Sequence, residues 1–279
     1  MEYNILIRLI LVFFVFLGSC SFSKVDFSSE NCFEIYKDLA ELASVDSVDD
    51  KNTEIKSYIY NIVNRNNLGS INNMDIFEQK VILKKQIEKN NMIISIFPDF
   101  SRRILVGTNY IPTRTNNSNY GSLSTLLTLI QDISKVRPKE FGIDIILFDS
   151  YKKEELDDFV QQLLHYYDNN IPEYAVILGP ITSEKPIINI DKKSYDNAPQ
   201  LIKILWNIAE SNNWKAFNNS ISDHKQGLHS ALLERGIKSA YLTVENPQEN
   251  LSKKDFTRCS NIFGSLLIKL IYQDYEETD

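Results

Sequence analysis

Glycine and proline are scarce, at 9 and 8 in 279 residues, which argues against an all-β chain built on many Gly/Pro turns. Cysteine and histidine are scarcer still, at 3 each, and no CxxC pair or Cys/His cluster occurs. A thiolate zinc site is therefore excluded by count. Basic residues are outnumbered: 30 Lys+Arg stand against 37 Asp+Glu, for a net charge of −7. That is the wrong sign for a general nucleic-acid binder, so no nucleic-acid partner is expected. GxSxG, P-loop and HExxH strings are missing. No internal repeat, low-complexity tract or long linker divides the chain. What is present is an ordinary globular balance, 43% hydrophobic and 24% charged.

The first residues read as a leader. Residues 9–17 are uninterruptedly apolar and follow Arg8. The run is too short for a spanning helix of ~20 residues, and the small residues after it mark a signal peptide, residues 1–19. Leu17-Gly18-Ser19-Cys20 resembles the bacterial lipobox, in which the cysteine is acylated and becomes the new N-terminus. Cys20 is then the lipidation site, and the bilayer is a partner through its acyl chains. Residues 20–31 read as the lipidated cysteine and a polar tether, and 32–279 as one domain. The expected location is the cell envelope, on the periplasmic or outer side of a membrane. Cys32 and Cys259 remain, either as a pair formed in an oxidising compartment or as two separate buried thiols.

Hydrophobic periodicity predicts helices over 32–43 and 54–66, separated by a polar break at 44–52. An exposed strand is expected at 77–86, and further strands at 91–97 and 103–110. Helices follow at 122–136, 154–167, 198–212 and 253–272. Residues 142–149 and 174–178 are continuous apolar runs of the kind buried on both faces of a sheet. Residues 238–244 form a last strand. Buried strands alternating with amphipathic helices imply an α/β sandwich. Trp206, Trp214 and Phe217 are read either as core or as the lining of a ligand pocket.

Several strings, in order, resemble the M28 zinc exopeptidases and their relatives the glutaminyl cyclases. MIISIFPDFSRRILVGTNY (92–110) is similar to the segment whose strand ends in Val-Gly-Ala-His-Tyr-Asp. NYGSLSTLLTLIQDI (119–133) resembles the Asp-Asn-Ala-Ser-Gly turn and its helix, and GIDIILFDS (142–150) the strand before the paired glutamates. SDH (222–224), then LLERGIKSAYLT (232–243), is similar to the segment bearing the last metal histidine, and NLSKKDFTRCSNIFGSLLIKLI (250–271) fits the closing helix. The resemblance implies a three-layer α/β sandwich with a mixed, mostly parallel sheet. It also places the first and last helices where Cys32 and Cys259 could meet and pair.

Residue by residue, the family's chemistry is lost. The first metal histidine falls on Asn109 and the aspartate two residues later on Ile111. The bridging aspartate falls on Asn116 or, in the better register, Asn117. The catalytic base and its neighbouring ligand fall on Tyr151 and Lys152. The next aspartate falls on Gly179, or on Pro180 after a slip of one. The last histidine is matched by His224 through its Asp-His dipeptide, or by His229 through its distance to Gly236. His165 sits on a helical pattern and is expected at the surface. Asparagine is a weak neutral ligand, isoleucine offers no donor, and Lys152 would repel a cation. Glu154 and Glu155 start a helical pattern, where a solvated first turn is the natural place for acids.

The sequence thus predicts a lipid-anchored envelope protein with the M28-like fold, without zinc or catalysis, whose old cleft takes a peptide or protein ligand. Two alternatives stand. One is a zinc-dependent aminopeptidase or glutaminyl-cyclase-like enzyme whose ligands are misaligned; the other is a purely structural lipoprotein. If the reading is right, Asn109, Asn117, Tyr151, Lys152 and Gly179 converge at the C-terminal ends of the strands. Lys152 would then replace the metal as a positive charge paired with a carboxylate.

Overall fold

The computed structural model describes residues 25–43, 48–69, 74–83, 88–110, 119–149, 151–167, 170–223, 227–248 and 251–272. The leader, Cys20, Ile111, Asn116, Asn117 and His224 lie outside them. Two helices open the fold, α1 (Ser29–Leu42) and α2 (Val48–Gly69), the second starting inside the polar segment. Strands β1 (Met74–Ile82), β2 (Glu88–Ile96) and β3 (Arg103–Asn109) precede α3 (Tyr120–Ile133). Then come β4 (Gly142–Phe148), a 3-10 turn (Lys153–Glu155), α4 (Leu156–Tyr167) and β5 (Tyr174–Leu178). The chain closes with β6 (Ile188–Asp191), α5 (Lys192–Asn197), α6 (Pro199–Ser211), β7 (Phe217–Ser222), α7 (Leu228–Glu234), β8 (Lys238–Leu242) and α8 (Lys253–Tyr272).

Six strands form one sheet in the order β1-β2-β4-β3-β5-β8. β4, β3, β5 and β8 run parallel, while β2 is antiparallel to β4 and β1 to β2. The alternation of side chains along each strand divides the core in two. Ile94, Val106, Ile145, Val176 and Leu242 meet α1, α2, α3, α6 and α8 on one face. Ile93, Leu105, Ile146, Ala175 and Ile177 meet α4 and α7 on the other. The result is the expected three-layer α/β sandwich. β1 is the exposed edge strand that its mixed charge and apolar pattern predicted. β6 and β7 pair in a separate two-stranded sheet.

Helix α3 is buried nearly all round, because it lies between the sheet and the outer pair α1 and α8. Its two threonine hydroxyls, among others, bond within the helix, Thr125 to the Gly121 carbonyl at 2.8 Å and Thr128 to the Ser124 carbonyl at 2.9 Å. The Tyr120 hydroxyl at its start is buried with no partner among the described residues. Near the opposite end of β3 from Asn109, Arg103 forks onto both oxygens of Asp144 at 2.6 Å and also reaches Ser95 at 2.6 Å. Both partners are buried, so removing either alone would strand a charge.

One expectation is corrected, and one of two alternatives is selected. The fold begins before residue 32: Phe27 is buried against Gly264, and Ser28 bonds Asp132 through both its amide and its hydroxyl at 2.8 Å. Cys32 and Cys259 are free thiols. Helices α1 and α8 are neighbours, as the resemblance implied, with Tyr36 and Phe256 rings 4.4 Å apart. The two cysteines nevertheless look in different directions. Cys32 donates to the Ser124 hydroxyl of α3 at 3.5 Å, and Cys259 to the Ser183 carbonyl at 3.0 Å.

Candidate functional site

The parallel strands end on one rim: Phe148 of β4, Asn109 of β3, Gly179 after β5 and Thr243 after β8. Topology puts loops from four strands together there, and such rims are where open α/β sheets bind ligands. The sequence places Asn109 and Gly179 correctly on this rim. Asn117 and His224 lie outside the described residues, so their positions are not part of the geometry.

Asn109 is half-buried and donates its amide to the Asp149 carbonyl at 3.2 Å. Its Oδ1 is enclosed with no partner among the described residues. The organising residue beside it is Asn91 of β2, which is fully buried. Asn91 Oδ1 accepts from the Asp149 amide at 3.1 Å and from the Tyr151 hydroxyl at 2.9 Å, while its Nδ2 donates to Gln79 at 3.2 Å. Asn91 thereby fixes the turn after β4. Tyr151 lies flat on Phe159 of α4, rings 4.5 Å apart and 8° from parallel. Burial, with the nearby Asp149 and Glu155 charges in support, pushes its phenol well above the ordinary value despite the bond to Asn91. A neutral phenol so held is no general base at neutral pH.

Lys152 does not carry the role expected of it. Its side chain is exposed and joins no ion pair among the described residues, because residues 152–155 form a surface turn. Its amide donates to Glu155 Oε2 at 2.8 Å, so Glu155 caps that turn and does not reach toward the rim. Among the described residues, Lys89 of β2 brings a cation to the rim, with Nζ 3.7 Å from Asp149 Oδ1 and both side chains mostly buried.

Gly179 is closed off from the other side. A Cβ built there would lie 2.1 Å from the Tyr241 hydroxyl, so Tyr241 of β8 occupies the space a side chain at 179 would need. The Gly179 amide donates to the Leu242 carbonyl at 2.9 Å, and its carbonyl accepts from the Ser122 hydroxyl, which joins the start of α3 to this strand end. Behind Tyr241 stands His229, stacked on it at 4.8 Å and 21° and itself buried. His229 Nε2 lies 3.4 Å from Asp191 Oδ2 and 3.1 Å from Ser230 Oγ. Its Nδ1 has no partner among the described residues. Asp191 also caps α5, accepting from the Ser194 amide at 2.8 Å and hydroxyl at 2.7 Å. Burial alone would raise the Asp191 carboxyl, but the bonds from His229 and Ser194 outweigh it and hold it at about 2. His229 therefore reaches the strand ends only through Tyr241, packed inside the fold. His165 is exposed on α4, as expected.

Zinc needs about four donors in tetrahedral array, most of them anionic or imidazole. Here the matched positions offer one amide oxygen, a neutral phenol, an exposed ammonium and a glycine. Among the described residues no three His, Cys, Asp or Glu side chains cluster so as to hold a metal. The described residues at these positions do not fit the ion.

Sequence reasoning missed Asn91, Asp191 and Tyr241. Asn91 was assigned to a strand without a role. The alternation of Ile188 and Ile190 before Asp191-x-x-Ser194 was a readable signal for a short strand and a helix cap. Trp206, Trp214 and Phe217, read as core or pocket, are half-buried and line an open groove of about 530 Å³.

No protein-family model and no curated protein matches the chain. Solved structures do. A Zn-dependent exopeptidase from Parabacteroides distasonis aligns with a TM-score of 0.68 at 16% identity, over 90% of this chain and 99% of that one. Glutaminyl cyclase from Porphyromonas gingivalis gives 0.67 at 12%, over 89% and 98%. A leucine aminopeptidase precursor from Bacteroides thetaiotaomicron gives 0.69 at 14%, over 90% and 98%. At such identities the likeness is one of architecture. The chain has the α/β fold of zinc-dependent exopeptidases and glutaminyl cyclases, with a mixed six-stranded sheet between helical layers.

Proposed function

We propose that the mature chain is a lipid-anchored envelope protein that keeps the zinc-exopeptidase architecture without its hydrolytic centre, and that its rim is a binding surface for a peptide or protein. The observation that carries this reading is the Tyr241 hydroxyl standing where a side chain at residue 179 would have to be. A carboxylate ligand cannot be accommodated there without moving a ring that is stacked on a buried histidine. Asn91 and Tyr151 support it, since they tie the turn after β4 by neutral hydrogen bonds where a metal site needs charge. The anchor rests on Leu17-Gly18-Ser19-Cys20.

The test is metal analysis of protein purified without chelator, combined with assays on aminoacyl reporters and on peptides with N-terminal glutamine. Substoichiometric zinc and no turnover are expected. Stoichiometric zinc together with hydrolysis or cyclisation would overturn the reading in favour of an enzyme.

A further inference from the structure

Ser28 and the rim lie at opposite ends of α3. Helix α3 starts at the rim, where Ser122 bonds Gly179, and runs about 21 Å for its 14 residues to the far edge. At that far edge Asp132 holds Ser28, and the Ile133 carbonyl accepts from Tyr272 at the end of α8. Phe27 is seated on Gly264 of α8, where an added Cβ would lie 2.2 Å from its ring. The chain is thus fixed from Phe27 onward.

Five residue steps lead from Cys20 to Val25, a contour of at most ~18 Å at about 3.6 Å per residue. Whatever surface surrounds Val25 must therefore lie close to the lipid headgroups. That surface has a distinct composition. Val25 and Asp26 border a cavity of about 340 Å³ shared with Trp214, Ser265, Ile268 and Lys269. Trp214 also borders the adjoining groove of about 530 Å³, with Trp206, Phe217, Tyr195, Lys203 and Lys215. Both tryptophans of the chain stand here. The Trp206 indole N–H is bonded to the Asn218 carbonyl at 3.2 Å, and its ring meets Phe217 edge-on at 5.0 Å. Tyr195 is 45% exposed, and Lys203 and Lys215 are exposed. Amphipathic aromatic rings rimmed by lysine are the chemistry favoured at the headgroup level of a bilayer. Glu210 and Asp26 partly offset the lysines, so the rings rather than net charge dominate the contact.

We propose that this tether edge is the face that rests on the bilayer, with Trp214 and the neighbouring Trp206 at the headgroup level, and that the rim consequently points away from the membrane toward its ligand. The inference rests on the lipid-anchor reading, and the experiment separates the two. Full-length protein, processed and acylated in its host, is reconstituted into phosphatidylethanolamine/phosphatidylglycerol vesicles with plain or brominated acyl chains. Intrinsic tryptophan emission then reports this face alone. Loss of emission in the brominated vesicles is expected, with protection from aqueous iodide, and Trp214→Phe should remove part of the quenched signal. Protein that floats with the vesicles but emits equally in both kinds overturns the docking face and leaves the anchor standing. Protein that neither floats nor carries acyl mass on Cys20 overturns the anchor and the docking face with it.

Discussion

Gly179 shows how one missing side chain closes a site. The nearest heavy atom to its virtual Cβ is the Tyr241 hydroxyl at 2.1 Å, followed by Tyr241 Cζ at 2.6 Å. The glycine is therefore required by a close approach across β5 and β8. Gly179→Ala should cost about 1–3 kcal/mol by overpacking. In a Tyr241→Ala background the same change should cost much less, and urea unfolding of the four proteins in a double-mutant cycle measures the coupling. Asp191 is the other residue with a readable consequence. Its folded carboxyl is held at about 2 against an ordinary 3.8. A depressed carboxylate contributes stability in full above its unfolded value and loses it as pH falls through the folded one. The contribution should be about 2 kcal/mol at neutral pH and fade between roughly pH 4 and 2. Unfolding free energies across that range should fall in the wild type, while Asp191→Asn should be less stable at pH 7 and flatter below pH 4.

At the scale of elements, the packing of α1, α3 and α8 decides the fate of the cysteines. Helix contact brings whole faces together, but a disulfide needs two particular Cβ atoms about 4 Å apart and aimed at each other. Cys32 is turned inward onto α3 and Cys259 onto the segment after β5. Burial raises both thiols, so the reactive thiolate is scarce in the native state. Iodoacetamide should modify native protein slowly. Denaturation without any reductant should expose both thiols to full alkylation by mass, whereas an unalkylated pair would contradict the free-thiol geometry. Adding reductant should leave the melting temperature unchanged.

At the scale of the whole molecule, a mixed sheet separates two ends. Parallel strands deliver their loops to one rim, and the helices after β3 and β8 carry the chain back to the opposite edge, where residues 25–28 are pinned. On the proposed reading, a lipid anchor attached there would leave the rim free of the membrane surface. Cys20→Ala should abolish lipidation and move the protein from the detergent phase to the soluble fraction, with a fold unchanged by circular dichroism, since the described core begins at Phe27. Continued detergent partitioning of that variant would sink the lipobox assignment.

The elements read most directly from sequence were those whose burial is complete. Residues 142–148 and 174–178 are apolar without interruption because both faces of their strands are covered, and 253–272 is helical over its full predicted length. Strand ends could be read too, which placed Asn109 and Gly179 on a common rim. β6 and α5 went unrecognised because elements of 4 and 6 residues carry too little periodicity, and β6 finds its partner only at 217–222. The site's chemistry lay beyond any local pattern for the same reason. Alternation along a strand says which face a side chain takes, not which residue of a distant strand it will meet. That Tyr241 fills the space beside Gly179, that Asn91 holds the turn before Tyr151, and that Lys89 rather than Lys152 brings a cation to the rim were decided by strand order and register. Those come from packing the whole sheet, where contacts far apart in sequence are chosen together.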